Sequence, residues 1–123
     1  MKELRLSLKK KWFEMTKAGI KKEDYRDVTA YWMSRLLLYN GRPQNQTFWY
    51  LFLHKKNYNE IKVETTFKIF DVNTMTLGYP KRGDKERELR YRHEGIEIRE
   101  GNPEWGAEKG KVYFVIKHGE EIL

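Results

Sequence analysis

The pattern of hydrophobic and polar positions predicts short strands and helices along the whole chain. Leucines alternate with polar residues over Glu3–Leu8, the two-residue period of a half-buried strand. Apolar residues at helical spacing predict a helix over 9–18, capped by Ser7, and a second over 28–39, capped by Asp27. The N-terminal third is therefore expected to contain a strand and two helices.

The rest of the chain is richer in strand signals. Strands are predicted over 21–26, 61–70, 87–98 and 112–117, which with the first strand form most of one closed or nearly closed barrel. The aromatic run at 47–53 favours a strand, although a helix remains possible there. Gly78-Tyr79-Pro80 is typical of a turn.

Length and composition indicate a single domain spanning 1–123. The chain is 39% hydrophobic and 15% aromatic, which is enough for a core despite 35% charged residues. The absence of cysteine excludes disulfides, thiolate zinc sites and cysteine nucleophiles. No apolar run is long enough to span a membrane, and the first residues lack the apolar stretch of a secretory signal. We expect a soluble, cytoplasmic protein with no membrane partner.

The net charge of +7 is concentrated near the N-terminus, because residues 1–42 hold eleven Lys or Arg against five Asp or Glu. Such a field attracts polyanions, so RNA, DNA or a phosphorylated small molecule is the first partner class to consider. The alternative is a merely soluble basic surface. Lys9 and Lys10 lie at the predicted start of the first helix, where they either bind an anion together with free amides or extend into water.

One segment carries a family resemblance. Residues 19–26, GIKKEDYR, resemble the G-x-K-x-x-E-x-R signature of ASCH domains, with Asp24 where the pattern has Glu. The flanking LSLKKKWFEM and RDVTAYWMSRLL, and the tail from 95 to 122, resemble small bacterial and phage members of that family. Residues 42–69 match no part of it and are treated as a variable segment.

The resemblance implies an α+β fold, a PUA-like β-barrel of five to six strands with two flanking helices. It also implies an RNA- or nucleotide-binding cleft lined by the signature. The expected ligand-binding residues are Lys9, Lys10, Lys21, Lys22, Arg26 and Trp105. Asp24 and Arg26 are two residues apart, so in a strand they share a face and can instead pair with each other.

Some ASCH proteins are similar to amidohydrolases that deacylate an acylated cytidine, and others to ribonucleases. A small metal-independent amidohydrolase acting on an acylated pyrimidine nucleoside is therefore the alternative function. Lys21 would stabilise an oxyanion, Asp24 would activate water in place of the family's Thr, and Glu104, ahead of Glu100, would protonate the leaving amine. Lys21 and Glu104 are then expected to converge on one pocket. The alternative role for Lys21 and the carboxylates is a plain salt bridge. The alternative for the whole protein is an interaction domain with a vestigial cleft.

No metal or cofactor motif is recognisable in the sequence. His54, His93 and His118 are far apart and lack companions at ligand spacing, so we expect them at the surface or a barrel edge. Phosphate-binding glycine motifs are also absent. Tryptophans in apolar stripes (Trp12, Trp32 and Trp49) are expected in the core. Trp105 lies in a segment whose residues are typical of a loop. There it either stacks on a base or packs over the barrel end.

Overall fold

The computed structural model describes residues 1–55 and 65–123. It is an α+β fold with three α-helices: α1 (Lys10–Lys17), α2 (Ala30–Leu36) and α3 (Gln46–Leu53). The strands are β1 (Glu3–Leu8), β2 (Glu23–Asp27), β3 (Leu37–Tyr39), β4 (Thr65–Phe67), β5 (Val72–Leu77), β6 (Glu88–Glu100) and β7 (Val112–Glu121). A short 3-10 helix, Pro103–Trp105, lies between β6 and β7. None of the helices within these described ranges is long and apolar enough to cross a membrane.

Five strands form one curled sheet in the order β1-β5-β6-β7-β2. β1 pairs with β5 in parallel, and the other pairs are antiparallel. The sheet makes a half-barrel with β1 and β2 at its two edges, so the barrel-like expectation is confirmed in this coarser form. Leu4, Leu6 and Leu8 are all buried, as the alternation along β1 predicts.

The core lies inside this curled sheet and under the helices. Its largest fully buried side chains come from both layers: Leu4, Leu6, Phe13, Met33, Leu36, Leu37, Trp49, Val72, Met75, Phe114 and Ile116. Helices α2 and α3 pack against each other. Apolar side chains from every helix therefore cover one face of the sheet, and the polar ends of β1, β2 and β5 are left to line clefts.

The strand predicted over 47–53 is wrong, because these residues form α3. The side chain of Asn45 accepts a hydrogen bond from the backbone amide of Phe48 at 2.8 Å, which starts a helix. Trp49 and Phe52, three positions apart, then bury one face. Capping and a helical burial pattern outweigh the β-propensity of the aromatic residues.

Several other boundaries also differ from the sequence prediction. The second helix stops at Leu36, because Leu37–Tyr39 pairs with Thr65–Phe67 in a separate two-stranded sheet. The cap of that helix is Thr29, whose hydroxyl accepts from Trp32 at 3.3 Å, rather than Asp27. Lys9, not Ser7, precedes α1, and it makes no side-chain capping bond.

The strand predicted over 61–70 falls partly outside the described residues. Its described part, β4, belongs to the small sheet rather than to the half-barrel. The sheet position expected for it is taken by Val72–Leu77, which the sequence prediction missed. This strand buries the polar residues Asn73, Thr74 and Thr76. Such residues are mostly exposed in proteins, so the sequence pattern did not indicate a core strand here.

Candidate functional site: two clefts beside strand β2

Two clefts border the β2 segment. The arginine cleft has a volume of about 560 Å³ and is lined by Arg5, Leu6, Ser7, Arg26, Tyr31, Trp32, Arg35, Thr76, Tyr79, Pro80 and Arg82. The lysine cleft has a volume of about 330 Å³ and is lined by Thr16, Gly19, Lys21, Lys22, Tyr91, Glu94, His118, Gly119 and Glu120. The predicted signature residues therefore divide between two different cavities.

Arg26 connects the two edges of the half-barrel at the arginine cleft. Its guanidinium donates one hydrogen bond to the backbone carbonyl of Ser7 on β1, at 2.7 Å. It donates another to the carboxylate of Asp24, also at 2.7 Å. Arg26 therefore satisfies a carbonyl on the open side of an edge strand and has limited freedom to bind an external anion.

Arg35 has a different environment on the opposite wall. Its guanidinium donates to the Tyr31 hydroxyl at 3.3 Å and to the Arg5 carbonyl at 3.4 Å. It also lies 5.0 Å from the centre of the Trp32 ring, a cation–π distance. Across residues 1–55 and 65–123, no carboxylate forms an ion pair with Arg35. Within the described part of the chain its charge is therefore held in place by neutral groups, with no carboxylate paired to it.

Lys68 adds a second cation near Arg35. Its ammonium donates to the Ser34 carbonyl at 2.9 Å. Partial burial lowers the pKa of Lys68, and the nearby charge of Arg35 lowers it further. Two positive groups therefore lie close together beside this wall of the cleft, which makes it favourable for an anion.

The remaining arginines of the cleft are paired with acids. Arg5 lies 3.3 Å from Glu88 and 3.7 Å from Glu3, and Arg82 lies 3.3 Å from Glu3. The Arg82 side chain is 77% exposed, so that pair is well solvated and weak. Arg82 can consequently turn toward a bound anion at low energetic cost.

In the lysine cleft, Lys21 is only 4% exposed. Its ammonium donates to the Glu23 carbonyl and lies 3.4 Å from the Asp24 carboxylate. Burial lowers the pKa of Lys21, and the attraction of Asp24 opposes that effect without cancelling it. Lys21 is thus a buried cation whose charged form is less stable, relative to the neutral amine, than it is in water.

Asp24 is the carboxylate that connects cations of the two clefts, although it lines neither cavity itself. It is 3% exposed and bonds Arg26 on one side and Lys21 on the other. Burial on its own raises the pKa of Asp24, but Arg26 and Lys21 together outweigh it and hold the pKa below its usual value. Asp24 is therefore an ionised structural anchor as well as a neighbour of both cavities.

His93 and His118, expected at the surface or a barrel edge, are both partly buried and come together through one amide. The side-chain oxygen of Asn73 lies 2.7 Å from His93 Nδ1, and its amide nitrogen lies 2.8 Å from His118 Nδ1. The amide geometry makes His118 Nδ1 the acceptor and leaves its proton on Nε2. Burial lowers the pKa of His118 to about 4, so the ring is neutral at neutral pH.

The other predicted ligand residues do not join these clefts as expected. Lys9 and Lys10 are exposed at the start of α1 and line neither cavity, whereas Lys22 is exposed at the rim of the lysine cleft. Trp105 is partly exposed on the 3-10 helix and lines neither cavity. Of the predicted core tryptophans, Trp49 is buried, whereas Trp12 and Trp32 are only partly buried, and Trp32 forms the cleft wall.

The expected convergence of Lys21 and Glu104 is not what the structure shows. Glu104 is exposed on the 3-10 helix, and the described charged neighbours of Lys21 are Asp24, Arg26 and Glu23. Glu100 accepts a hydrogen bond from the Gly110 amide at 2.9 Å. The loop before β7 caps its own turn and does not reach Lys21.

The most prominent cleft residues that the sequence prediction missed are Arg5, Tyr31, Arg35, Tyr79 and Arg82. A signal was present for two of them, since Tyr31 and Arg35 are four apart on one helix face. Arg5 occupies an outward position of the alternating strand. Tyr79 stands between a glycine and a proline, where no core requires an aromatic side chain.

Comparisons with known proteins give no match. No family model, no curated protein and no solved structure is significantly similar to this chain.

Proposed function

We propose that this chain is an RNA- or nucleotide-binding domain of the ASCH type, with a PUA-like barrel, and that the arginine cleft holds the ligand's phosphate. The observation that carries the proposal is Arg35, a guanidinium fixed by neutral partners and unpaired with any described carboxylate. Arginine presents a fork of donors that matches phosphate oxygens.

The surroundings of Arg35 support the same class of ligand. Arg5, Arg26 and Arg82 line the same cleft, together with the aromatic residues Tyr31, Trp32 and Tyr79. Cations that track a backbone, together with rings that stack on bases, are the usual elements of single-stranded nucleic-acid sites. The net charge of +7 adds a long-range attraction for polyanions.

The test is fluorescence anisotropy with a labelled single-stranded RNA and with a labelled nucleotide as a separate arm. If three phosphates are neutralised, RNA affinity should fall roughly twentyfold as salt rises from about 50 to about 200 mM. Arg35→Gln should weaken binding roughly tenfold or more, because a charge-assisted phosphate contact is lost. Unchanged affinity in that variant would contradict the proposal.

Arg92→Gln is the matched control. Arg92 is exposed on β6, lies outside the arginine cleft and removes the same single charge when substituted. Its effect should stay within about twofold, as a screened distant charge contributes little. Equal weakening by both variants would indicate non-specific attraction to the whole basic surface and would also contradict a localised site.

A second function is favoured by one specific observation, the buried Lys21 with a lowered pKa beside a cleft of about 330 Å³. Such lysines take part in acid–base chemistry. A metal-independent amidohydrolase acting on an acylated pyrimidine nucleoside would use it to stabilise an oxyanion, with Asp24 as the nearby base. Incubation with N4-acetylcytidine under chelator tests this, and absence of turnover, or turnover that survives in a folded Lys21→Met variant, would contradict it.

A further inference from the structure

We infer that Tyr79 is the base-stacking surface of the arginine cleft, so that the cleft accepts an unpaired nucleotide with its base on Tyr79 and its phosphate at Arg35. This inference rests on the proposed function and makes it more specific. It adds a residue, a role and a ligand class, namely single-stranded rather than duplex nucleic acid.

The exposure of Tyr79 is the first argument. Its side chain lines the cleft, yet the residue is 95% exposed. Across the described residues it makes no ring contact with another aromatic side chain. A large ring that contributes nothing to the core and stands beside a cluster of cations is a surface suited to a ligand.

The backbone around Tyr79 is fixed rather than loose. The amide of Gly78 donates to the Leu8 carbonyl at 3.2 Å, and the hydroxyl of Thr76 donates to the Gly78 carbonyl at 2.8 Å. Gly78 has φ +66°, a conformation that favours glycine, and Pro80 restricts the residue before it to extended backbone. The turn therefore fixes the backbone from which the Tyr79 side chain extends, which reduces the backbone share of the ordering entropy that binding costs.

The other rings of the cleft are already engaged. Trp32 has the Arg26 guanidinium 4.9 Å and the Arg35 guanidinium 5.0 Å from its ring centre. Tyr31 meets the edge of Trp32 with ring centres 5.2 Å apart, and its hydroxyl accepts from Arg35. These two rings hold the cations in place. Among the cleft's described aromatic side chains, Tyr79 alone retains an unengaged ring.

The ligand class follows from this division of roles. A tyrosine ring stacks on the flat face of a base, and bases within a duplex have their faces covered by neighbouring base pairs. Arg35 and Arg82 supply phosphate contacts from the same cleft. An unpaired nucleotide offers both a free base face and a phosphate, whereas inorganic phosphate offers only the second.

The experiment compares Tyr79→Leu with Tyr79→Phe in the full chain. The probes are a single-stranded RNA containing 2-aminopurine, the same RNA annealed to its complement, and a labelled mononucleotide. Stacking quenches 2-aminopurine, so the wild type and Tyr79→Phe should quench it. Tyr79→Leu should bind the single strand roughly tenfold more weakly and lose the quench. Tyr50→Leu, a substitution of another exposed tyrosine outside the cleft, should behave as wild type.

The outcomes separate this inference from the function on which it rests. If Arg35→Gln weakens binding while Tyr79→Leu retains both affinity and quench, the stacking role is overturned and the phosphate site stands. Preference for the duplex over the single strand would also overturn the inference. If the wild type binds none of the three probes, the proposed function fails and the inference fails with it. Binding of the mononucleotide with the same dependence on Tyr79 supports the inference and identifies a free nucleotide as a sufficient ligand.

Discussion

Arg26 joins the two edge strands of the half-barrel, because its guanidinium on β2 donates to the carbonyl of Ser7 on β1 at 2.7 Å. The same group neutralises Asp24, which is 3% exposed. Arg26 therefore has a structural role that is separate from any ligand, and its removal should affect folding before it affects binding.

Arg26→Met tests this structural role. The substitution leaves a buried carboxylate whose remaining cation, Lys21, is 3.4 Å away. We expect the free energy of unfolding in urea to fall by about 3–5 kcal/mol, the cost of breaking a buried ion pair. Arg92→Met, on the exposed face of β6, should change it by less than about 0.5 kcal/mol. A loss below about 1 kcal/mol for Arg26→Met would show that Asp24 does not depend on it.

His118 makes stability depend on pH. Burial, opposed by Asp24 and reinforced by Lys21 and His93, lowers its pKa from 6.5 to about 4 in the folded protein. The unfolded chain therefore binds a proton that the folded chain resists between these values, so stability is complete above about pH 6.5 and falls as pH drops toward 4. The loss should reach about 3 kcal/mol.

The measurement is a series of urea unfolding curves at stepped pH values for the wild type and His118→Gln. Glutamine retains an acceptor for the Asn73 amide but does not titrate. The variant should show a flatter profile across that window. Loss of stability below about pH 4 should persist in both proteins, because the unfolded chain protonates Asp24 while the folded protein, in which the pKa of Asp24 is lowered, resists that proton. Parallel profiles across the upper window would rule out His118 as the cause.

Gly106 and Gly110 form a natural pair for testing a packing contact. Both have positive φ, +102° and +81°. A Cβ at Gly106 would lie 2.9 Å from the Trp12 ring, whereas one at Gly110 would meet nothing within 4 Å. Gly110→Ala should cost about 1–2 kcal/mol from backbone strain alone. Gly106→Ala should cost about 1–3 kcal/mol more, because the loop must move off Trp12. Equal thermal shifts would contradict the contact.

Trp49 tests whether α3 belongs to the core. The residue is fully buried, and across the described part of the chain its indole nitrogen has no hydrogen-bond partner. Trp49→Ala should lower the free energy of unfolding by about 3–5 kcal/mol through lost burial and a cavity. Trp49→Phe should cost clearly less, since it keeps an aromatic ring and removes an unsatisfied donor. If both substitutions are tolerated without loss, α3 is dispensable to the fold.

The elements that sequence reasoning placed correctly are those with local patterns. Alternation located β1, helical spacing located α1, and the apolar segment at 112–117 located β7. The misplaced helix α3 depends on a local cap at Asn45, whereas the missed strand β5 depends on distant partners. Asn73 and Thr74 are tolerated inside β5 because His93, His118 and Glu3 bond their side chains, and no local window contains that information.

The sequence predicts the class of ligand for the candidate site, but it does not predict which residues line the cleft. Net charge indicates a polyanion-binding surface. The spacing of Asp24 and Arg26 predicts that they pair, but it leaves Lys21 free, whereas Lys21 also lies 3.4 Å from the Asp24 carboxylate. The lysines at 9 and 10 contribute charge without lining a cleft. Arg35 and Tyr79 are brought together by α2 and the turn after β5, and they lie 44 positions apart in the chain. Only the curl of the sheet makes them neighbours in one cavity.

The parallel pairing of β1 with β5 also sets an order for folding. Glu3 lies opposite Val72, so the first strand gains its sheet neighbour only after nearly seventy further residues have been synthesised. Closing so long a loop is slow relative to forming helices or the β6–β7 pair. The contacts that Arg26 and Arg35 make to the other side of β1 span only 19 and 30 positions. We therefore expect β1 to join β5 late in folding, after α1 and the arginines nearer in sequence have made their contacts to it.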